Sequence, residues 1–406
     1  MKPALLLLCH RIPYPPNKGD KIRAFHLLKF LASHYRVYLG AFVDDPMDWQ
    51  YVKDVEAICE DCKFLELNPL RAKVKCMKGF ITGEALSVPY YQSNELQEWV
   101  RSVIADHDIT KAMAVSSVMA QFLSDPKLNL DKKIIDIVDI DSDKWLQYSS
   151  MKSWPLSWVY RREAKTLLQY EKFAVENFDA SLFVSSPEAE MFKKKMPSDA
   201  HKVGYYNNGV DSEYFSPSED YPLPYEQDSL PIVFTGAMDY WPNIDAVCWF
   251  VSDVLPEIRK LDTRFCFYIV GSKPSDKVMQ LGSLEGVVVT GRVEDIRPYI
   301  HHAYVCIAPM RIARGVQNKV LEAMSMQRPV IVSDMGLEGI NAQHGVDVLI
   351  ANTAKEYVSV TSALLDNSYN DIGLAARRTV KKDFNWSESL PIVRELLNKV
   401  QQEKHV

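Results

Sequence analysis

The residues with the clearest chemical reach lie in VCIAPMRIARGVQNKVLEAMSMQRPVIVSD, residues 305–334. An apolar run ends at Pro309. A loop containing Arg311, Arg314 and Gly315 follows, and a helical pattern begins near Gln317 or Asn318 with Val320, Leu321, Ala323 and Met324 toward the core. A helix that starts directly after a strand turns unpaired backbone N–H groups and the positive end of its dipole outward. That geometry suits a diphosphate. Lys319 adds a full charge, and Gly315 lets the backbone approach closely. Glu322 sits one turn further in, where a carboxylate can accept from ribose hydroxyls. Spacing alone leaves a second reading open, because Lys319 and Glu322 also make an ordinary i,i+3 surface pair.

Two stretches of the first half carry further candidates. PYPPNKGDKIR (13–23) places Gly19 at a strand-to-helix turn, with Lys18, Lys21 and Arg23 adding positive charge at the same mouth. The same residues also read as a proline-stiffened connection into a helix with Asp20 near its cap. DIVDIDSDKW (136–145) clusters four aspartates after a strand, a composition that can suggest Mg²⁺. Alternate residues of a strand face opposite sides, so the four cannot all converge. Asp139 and Asp141 share a face if the strand extends, and are the candidates for acceptor binding or a base. Helix capping and surface charge are the alternative. No metal site is expected. Cys59 and Cys62 form a lone CxxC, and His107, His301, His302 and His344 have no ligand spacing.

These loops need strands behind them. Apolar runs at 4–9, 37–43, 63–67, 112–117, 133–139 and 180–186 alternate with helical stretches, the first of them near 20–33. The pattern restarts at 231–238, 265–272, 287–291, 305–310 and 329–334. Continuous apolar strands alternating with helices indicate parallel sheets covered on both faces. The sequence therefore predicts two doubly wound α/β domains facing a cleft, with ligands beyond the carboxyl ends of the strands. Residues 216–231, rich in proline and acid, read as a linker. Residues 383–400 read as one helix packing back across the junction.

Composition bounds the rest. The chain has 406 residues and a net charge of -6, which argues for two domains and against a nucleic-acid binder. The run 4–9 is too short for a secretory signal core, no stretch approaches a membrane span, and the seven cysteines are scattered, so a cytoplasmic protein with reduced thiols is expected. Residues 151–174 combine Trp154, Trp158 and Tyr160 with Lys152, Arg161, Arg162 and Lys165, and 71–80 are a second basic-apolar patch. Both can lie peripherally on the inner membrane, or each can be an amphipathic helix against its own domain.

GVQNKVLEAMSMQRPVIV (315–332) resembles the donor-site signature of family-four retaining glycosyltransferases. FTGAMDYWPNIDAV (234–247), TGRVEDIRPYIHHAYVCIAP (290–309), NNGVDSEYF (207–215) and LFVSSPEAEMF (182–192) follow the family in order. PYPPNKGDKIR and VDIDSDKW (138–145) are similar to a bacterial subgroup of sugar transferases associated with exopolysaccharide clusters. The resemblance implies a GT-B fold, with an acceptor domain at 1–205, a donor domain at 206–383 and a returning C-terminal helix at 384–406. It implies that Gly19, Gly236, Arg292, Val293, Arg314, Gly315, Val316, Gln317, Asn318, Lys319 and Glu322 hold the donor. Arg292 and Val293 belong to the loop for the base, and Arg314 to Gln317 to the loop for the sugar. Lys18, Lys21, Arg23, Asp141, Lys144 and Trp145 fall to the acceptor.

Two departures from the family stand out. The first of its paired glutamates falls at Arg314, a permanent cation without acceptor atoms. The usual Arg and Lys after the first donor-domain strand are replaced by Ala237 and by Pro242 or Asn243. The implied chemistry is sugar transfer from a nucleotide-sugar to a glycan or lipid-linked acceptor with retention. No cofactor or metal is expected; Lys319, Glu322, Asp139 and Asp141 are the catalytic candidates, and domain closure excludes water. A nucleotide-sugar 2-epimerase and a silent sugar-nucleotide-binding subunit are the alternatives.

Overall fold

The computed structural model describes residues 2–16, 18–217, 220–313 and 315–399. The chain divides into two units, Met1–Asn207 with the segment from Leu390 onward, and Asn208–Ser389.

The first unit holds seven parallel strands: β1 (Ala4–Cys9), β2 (Arg36–Val43), β3 (Asp61–Glu66), β4 (Lys111–Val115), β5 (Lys132–Val138), β6 (Ala180–Phe183) and β7 (Val203–Tyr205). Their order is β3-β2-β1-β4-β5-β6-β7. Leu5, Leu6, Leu7 and Leu8 of the central β1 have no exposed surface, because helices cover both faces of the sheet. The helices used below are α1 (Gly19–His34), α2 (Pro69–Thr82), α3 (Asp141–Ser150) and α4 (Leu156–Asn177). Asn68 starts α2 by accepting from the amides of Leu70 and Arg71, with Pro69 at the first helical position.

The second unit has six parallel strands: β8 (Leu230–Thr235), β9 (Phe265–Val270), β10 (Val287–Gly291), β11 (Val305–Ala308), β12 (Val330–Val332) and β13 (Leu349–Ile350). The order β10-β9-β8-β11-β12-β13 repeats the winding of the first sheet. α5 (Trp241–Trp249) follows β8, and α6 (Asn318–Ser325) follows β11. Burial on both faces of these sheets explains why unbroken apolar runs, rather than alternating ones, marked their strands.

Two expectations need correction. Residues 216–231 are not a free linker, since Tyr221 and Tyr225 are buried in the second unit. The Tyr225 hydroxyl donates to the Tyr299 carbonyl, and His302 Nε2 donates to the Tyr221 carbonyl at 2.7 Å. Residues 383–400 do not form one helix. A short helix, Trp386–Ser389, belongs to the second unit, and α7 (Pro391–Asn398), opening on a proline, belongs to the first.

Candidate functional site

β8 and β11 are neighbours, but the chain leaves them toward opposite edges of the sheet. A crevice opens at such a switch point beyond the carboxyl ends of the strands, where this fold receives ligands. The loop after β8 begins at Gly236, which has φ +154, and the Gly236 amide donates to Val270 at 3.0 Å. A Cβ on the neighbouring Gly271 would lie 1.7 Å from the Gly236 carbonyl oxygen, so the two loops meet as bare backbone. A Cβ on Gly236 itself would lie 2.7 Å from Asn243 Nδ2 and 3.6 Å from Lys319 Cε.

The open side of Gly236 is therefore where Lys319 arrives from the first turn of α6. Its ammonium donates to Asn243 Oδ1 at 3.3 Å and Gln317 Oε1 at 3.2 Å, and lies 5.1 Å from the Phe234 ring centroid. Asn243 is fixed in turn by donating to the Ala237 carbonyl at 2.9 Å. A cation whose listeners are two neutral amide oxygens is undercompensated. Burial pulls the Lys319 pKa down to about 8, against the upward pull of Glu322. Glu322 is buried and its carboxyl makes no hydrogen bond among the described residues; burial lifts its pKa to about 7, opposed by Lys319. A buried carboxyl and a half-buried ammonium without a direct ion pair cost stability, a signature of a site built for a ligand.

The helix start completes the arrangement. Gln317 is the N-cap of α6 but its side chain does not cap the helix, and the buried Oδ1 of Asn318 has no partner among the described residues. The amide dipoles of the first turn thus face the same crevice as Lys319. Gly315 and Val316 are buried in the turn before the helix. Arg314 lies outside the described residues. Arg311 is committed elsewhere, holding Asp245 of α5 through two hydrogen bonds of 2.9 and 2.6 Å. Val293 packs against the core of the unit, and Arg292 is exposed with no ion-pair partner among the described residues.

Sequence reasoning missed two residues here. Tyr214 lies under Arg297, whose guanidinium is 4.0 Å from the ring centroid and is held by Asp295. Burial and Asp295 push the Tyr214 phenol up, against the downward pull of Arg297. Arg377 donates to the carbonyls of Ser212 (3.1 Å), Phe215 (3.0 Å) and Ser325, so it ties the Tyr214 loop to the last turn of α6. No local pattern signals either contact, because each joins segments far apart in the chain. Gly236→Ala is expected to crowd Asn243 and to weaken by about tenfold or more the binding of a ligand received in this crevice, with little loss of folding cooperativity. Calorimetric titration of the variant checks this.

In the first unit the candidates separate. Lys21 and Arg23 are not available to an acceptor. Lys21 is 1% exposed and pairs with Asp48 at 2.5 Å. Arg23 is fully buried: it binds both oxygens of Asp136 at 2.7 and 3.0 Å, donates to the Tyr206 and Phe183 carbonyls, and stacks on the Tyr206 ring at 3.4 Å. Their side chains point inward from α1, whose buried positions are 21, 23, 24, 27, 28 and 31. Gly19 opens α1, exposed, and Lys18 is its N-cap. Asp20 does not cap; it accepts from Arg11 at 2.7 Å and pairs with His10.

Asp139 and Asp141 come together by a different route from a shared strand face. β5 stops at Val138, whose φ of +72 is a strained position for a β-branched residue, and Asp141 already begins α3. Lys144, one turn along α3, then bridges both carboxylates at 2.6 and 3.3 Å. Trp145 packs on Tyr160 at 5.0 Å between ring centroids. Asp136 serves Arg23, so the four aspartates do not converge. Among the described residues no group of three or more His, Cys, Asp or Glu is placed to hold a metal ion.

Two parallel Rossmann-like units, of seven and six strands, define the GT-B architecture. Similarity to known proteins narrows this. Residues 230–367, most of the second unit, match the family model described as Glycosyl transferases group 1. Over 98% of both chains the fold is similar to sucrose-phosphate synthase from Thermosynechococcus elongatus, with TM-score 0.72 and 19% identity. HepE from Anabaena, solved in complex with UDP-glucose, is similar over 97% of this chain and 99% of that one, with TM-score 0.67 and 12% identity. In sequence, an uncharacterized 44.6 kDa protein of the cps region of Klebsiella pneumoniae is 21% identical, covering 84% of this chain and 85% of that protein.

Proposed function

We propose that this chain is a retaining glycosyltransferase that moves a sugar from a nucleotide-sugar donor to a glycan or lipid-linked acceptor in the assembly of a surface polysaccharide. One observation carries the reading. The half-buried Lys319 ammonium meets, among the described residues, only the neutral side-chain oxygens of Asn243 and Gln317, at the start of α6. A diphosphate supplies the missing negative charge. As the bond from the anomeric carbon to the diphosphate oxygen breaks, charge builds on that oxygen, and Lys319 with the amides near Gln317 and Asn318 stabilises it. Glu322, whose carboxyl has no hydrogen-bond partner among the described residues, accepts from the ribose hydroxyls. The backbone of Gly236 leaves room for the phosphates, and the loop of Arg292 and Val293 takes the base. Asp139, Asp141 and Lys144 are the acceptor-side candidates. The ammonium meets the charge that a metal meets elsewhere, so the reaction is expected to proceed without one.

The match of residues 230–367 to group 1 glycosyltransferases and the UDP-glucose bound by HepE support a nucleotide-sugar donor. The Klebsiella pneumoniae relative from a cps region supports the polysaccharide setting. Mass spectrometry of products, after a thermal-shift panel has chosen the donor, tests the reading. A transferred sugar with retained anomeric configuration upholds it. An epimerised donor, or a donor bound and unchanged with every acceptor offered, refutes it.

A pH dependence follows from the same pair. A bound diphosphate keeps Lys319 protonated, whereas in the free site the ammonium loses its proton above about pH 8. Donor binding must then take up a proton, so Kd should rise above pH 8 by up to about tenfold per pH unit. Below pH 7 the free Glu322 gains a proton and loses acceptor capacity, so affinity should fall again. Titrating a nucleotide-sugar, whose diphosphate is a diester and does not itself titrate here, from pH 6 to 9.5 should show an optimum between these limits.

A further inference from the structure

α2 is packed with its large apolar residues outward. Ala72 and Gly79 form the buried face, whereas Leu70, Val74, Met77 and Ile81 are 74%, 72%, 61% and 90% exposed. Positions 70, 74, 77 and 81 follow at spacings of four, three and four, so at 3.6 residues per turn they make one stripe along the helix. The stripe continues onto α4. Arg162 donates to the Gly79 and Glu84 carbonyls and its guanidinium lies 5.0 Å from the Phe80 ring centroid, while Trp158 stacks on Phe80 at 6.2 Å. Trp158 is 55% exposed, and Trp154, just before α4, is 81% exposed. A contiguous face of large apolar side chains this open to water marks an interaction surface.

Charge identifies the partner. Residues 69–82 and 151–162 contain seven basic and no acidic residues, in a chain whose net charge is -6. On the wheel of α2, Arg71, Lys75 and Lys78 run along one side of the apolar stripe and Lys73 along the other, all exposed. A second copy of the chain would bring the same cationic face against itself across a two-fold axis. Nucleic acid would satisfy the charges and leave the stripe wet. A bilayer with anionic headgroups satisfies both: the stripe enters the acyl boundary, lysines and arginines flank it at headgroup level, and tryptophans sit at the interface.

We propose that this face of the first unit docks on an anionic phospholipid bilayer, with α2 lying along the surface. It deepens the proposed function by placing the enzyme where a lipid-linked acceptor resides, but its support is separate from the donor site. The test is sedimentation of the full chain with vesicles of phosphatidylcholine alone or with about one-third phosphatidylglycerol. Val74→Glu/Ile81→Glu serves as the variant, and melting curves confirm its fold. The wild type should partition at least about tenfold better onto anionic vesicles, with the preference fading at high salt, and the variant should lose about tenfold or more. Nucleotide-sugar thermal shifts should be the same for both proteins. No binding of the wild type to anionic vesicles, or equal binding of the variant, overturns the proposal. So does a wild-type dimer that the variant dissolves without any vesicle binding, which assigns the face to a second copy. Vesicle binding without any donor response overturns the proposed function and leaves the membrane face standing.

Discussion

Lys319→Ala is expected to lower kcat/KM for sugar transfer by about 10²–10³-fold and to abolish the thermal shift given by nucleotide-sugar donors. The size follows from the position of the ammonium, which is partly buried, held by Asn243 and Gln317, and set at the start of α6. A charge in such a site interacts with a diphosphate far more strongly than one in water. The unliganded protein should be only slightly destabilised, because the half-buried ammonium makes no direct ion pair among the described residues and is coupled to Glu322 only at longer range. Lys319→Arg should rescue poorly, since a planar guanidinium does not reproduce the compact ammonium that Asn243 and Gln317 hold. Steady-state kinetics with donor titrations and melting curves together decide this. Loss of activity with an intact donor response would detach Lys319 from the diphosphate.

The second large effect is on stability. Asp136→Ala should destabilise the first unit by about 3–5 kcal/mol, because it leaves the Arg23 guanidinium uncompensated where no water reaches. Tyr206 would lose its hydroxyl's acceptor in the same step. At about 2–4 °C per kcal/mol for a domain of this size, the melting temperature should fall by roughly 10 °C. Arg23→Met, which removes the charge but keeps an apolar stem, should cost less than Asp136→Ala. Urea unfolding measures both. An acceptor-binding Arg23 would give the opposite pattern, an altered acceptor KM with little change in stability.

Legibility in the sequence divides along physical lines. Strands buried on both faces announce themselves as unbroken apolar runs, so β1, β9 and β11 were readable from ALLLLC, FCFYIV and VCIA. β7 and β13, three and two residues long, are too short for any pattern and are fixed by pairing with a neighbour. The arrangement proposed to bind a diphosphate was visible in the sequence because its parts, a strand, a glycine and a helix start with lysine, are consecutive. The roles of Lys21 and Arg23 were not, since a basic residue near a strand-to-helix turn looks the same whether it faces solvent or Asp48 and Asp136. Only the phase of α1 separates the two, and Lys21 occurs at the helical interval that also buries Ala24 and Leu28. Asn243 was noted as a missing cation when its work is to hold one, a contact spanning 76 residues. The outward stripe of α2 could be written down from spacing, but spacing cannot say whether an apolar stripe faces in or out.

The account depends on where the diphosphate sits. A crystal structure of the protein with a nucleotide-sugar should show a phosphate oxygen about 3 Å from Lys319 Nζ and others at the amides opening α6, with the ribose beside Glu322. A nucleotide-sugar bound at full occupancy with its phosphates away from Lys319 and Gly236 would contradict it.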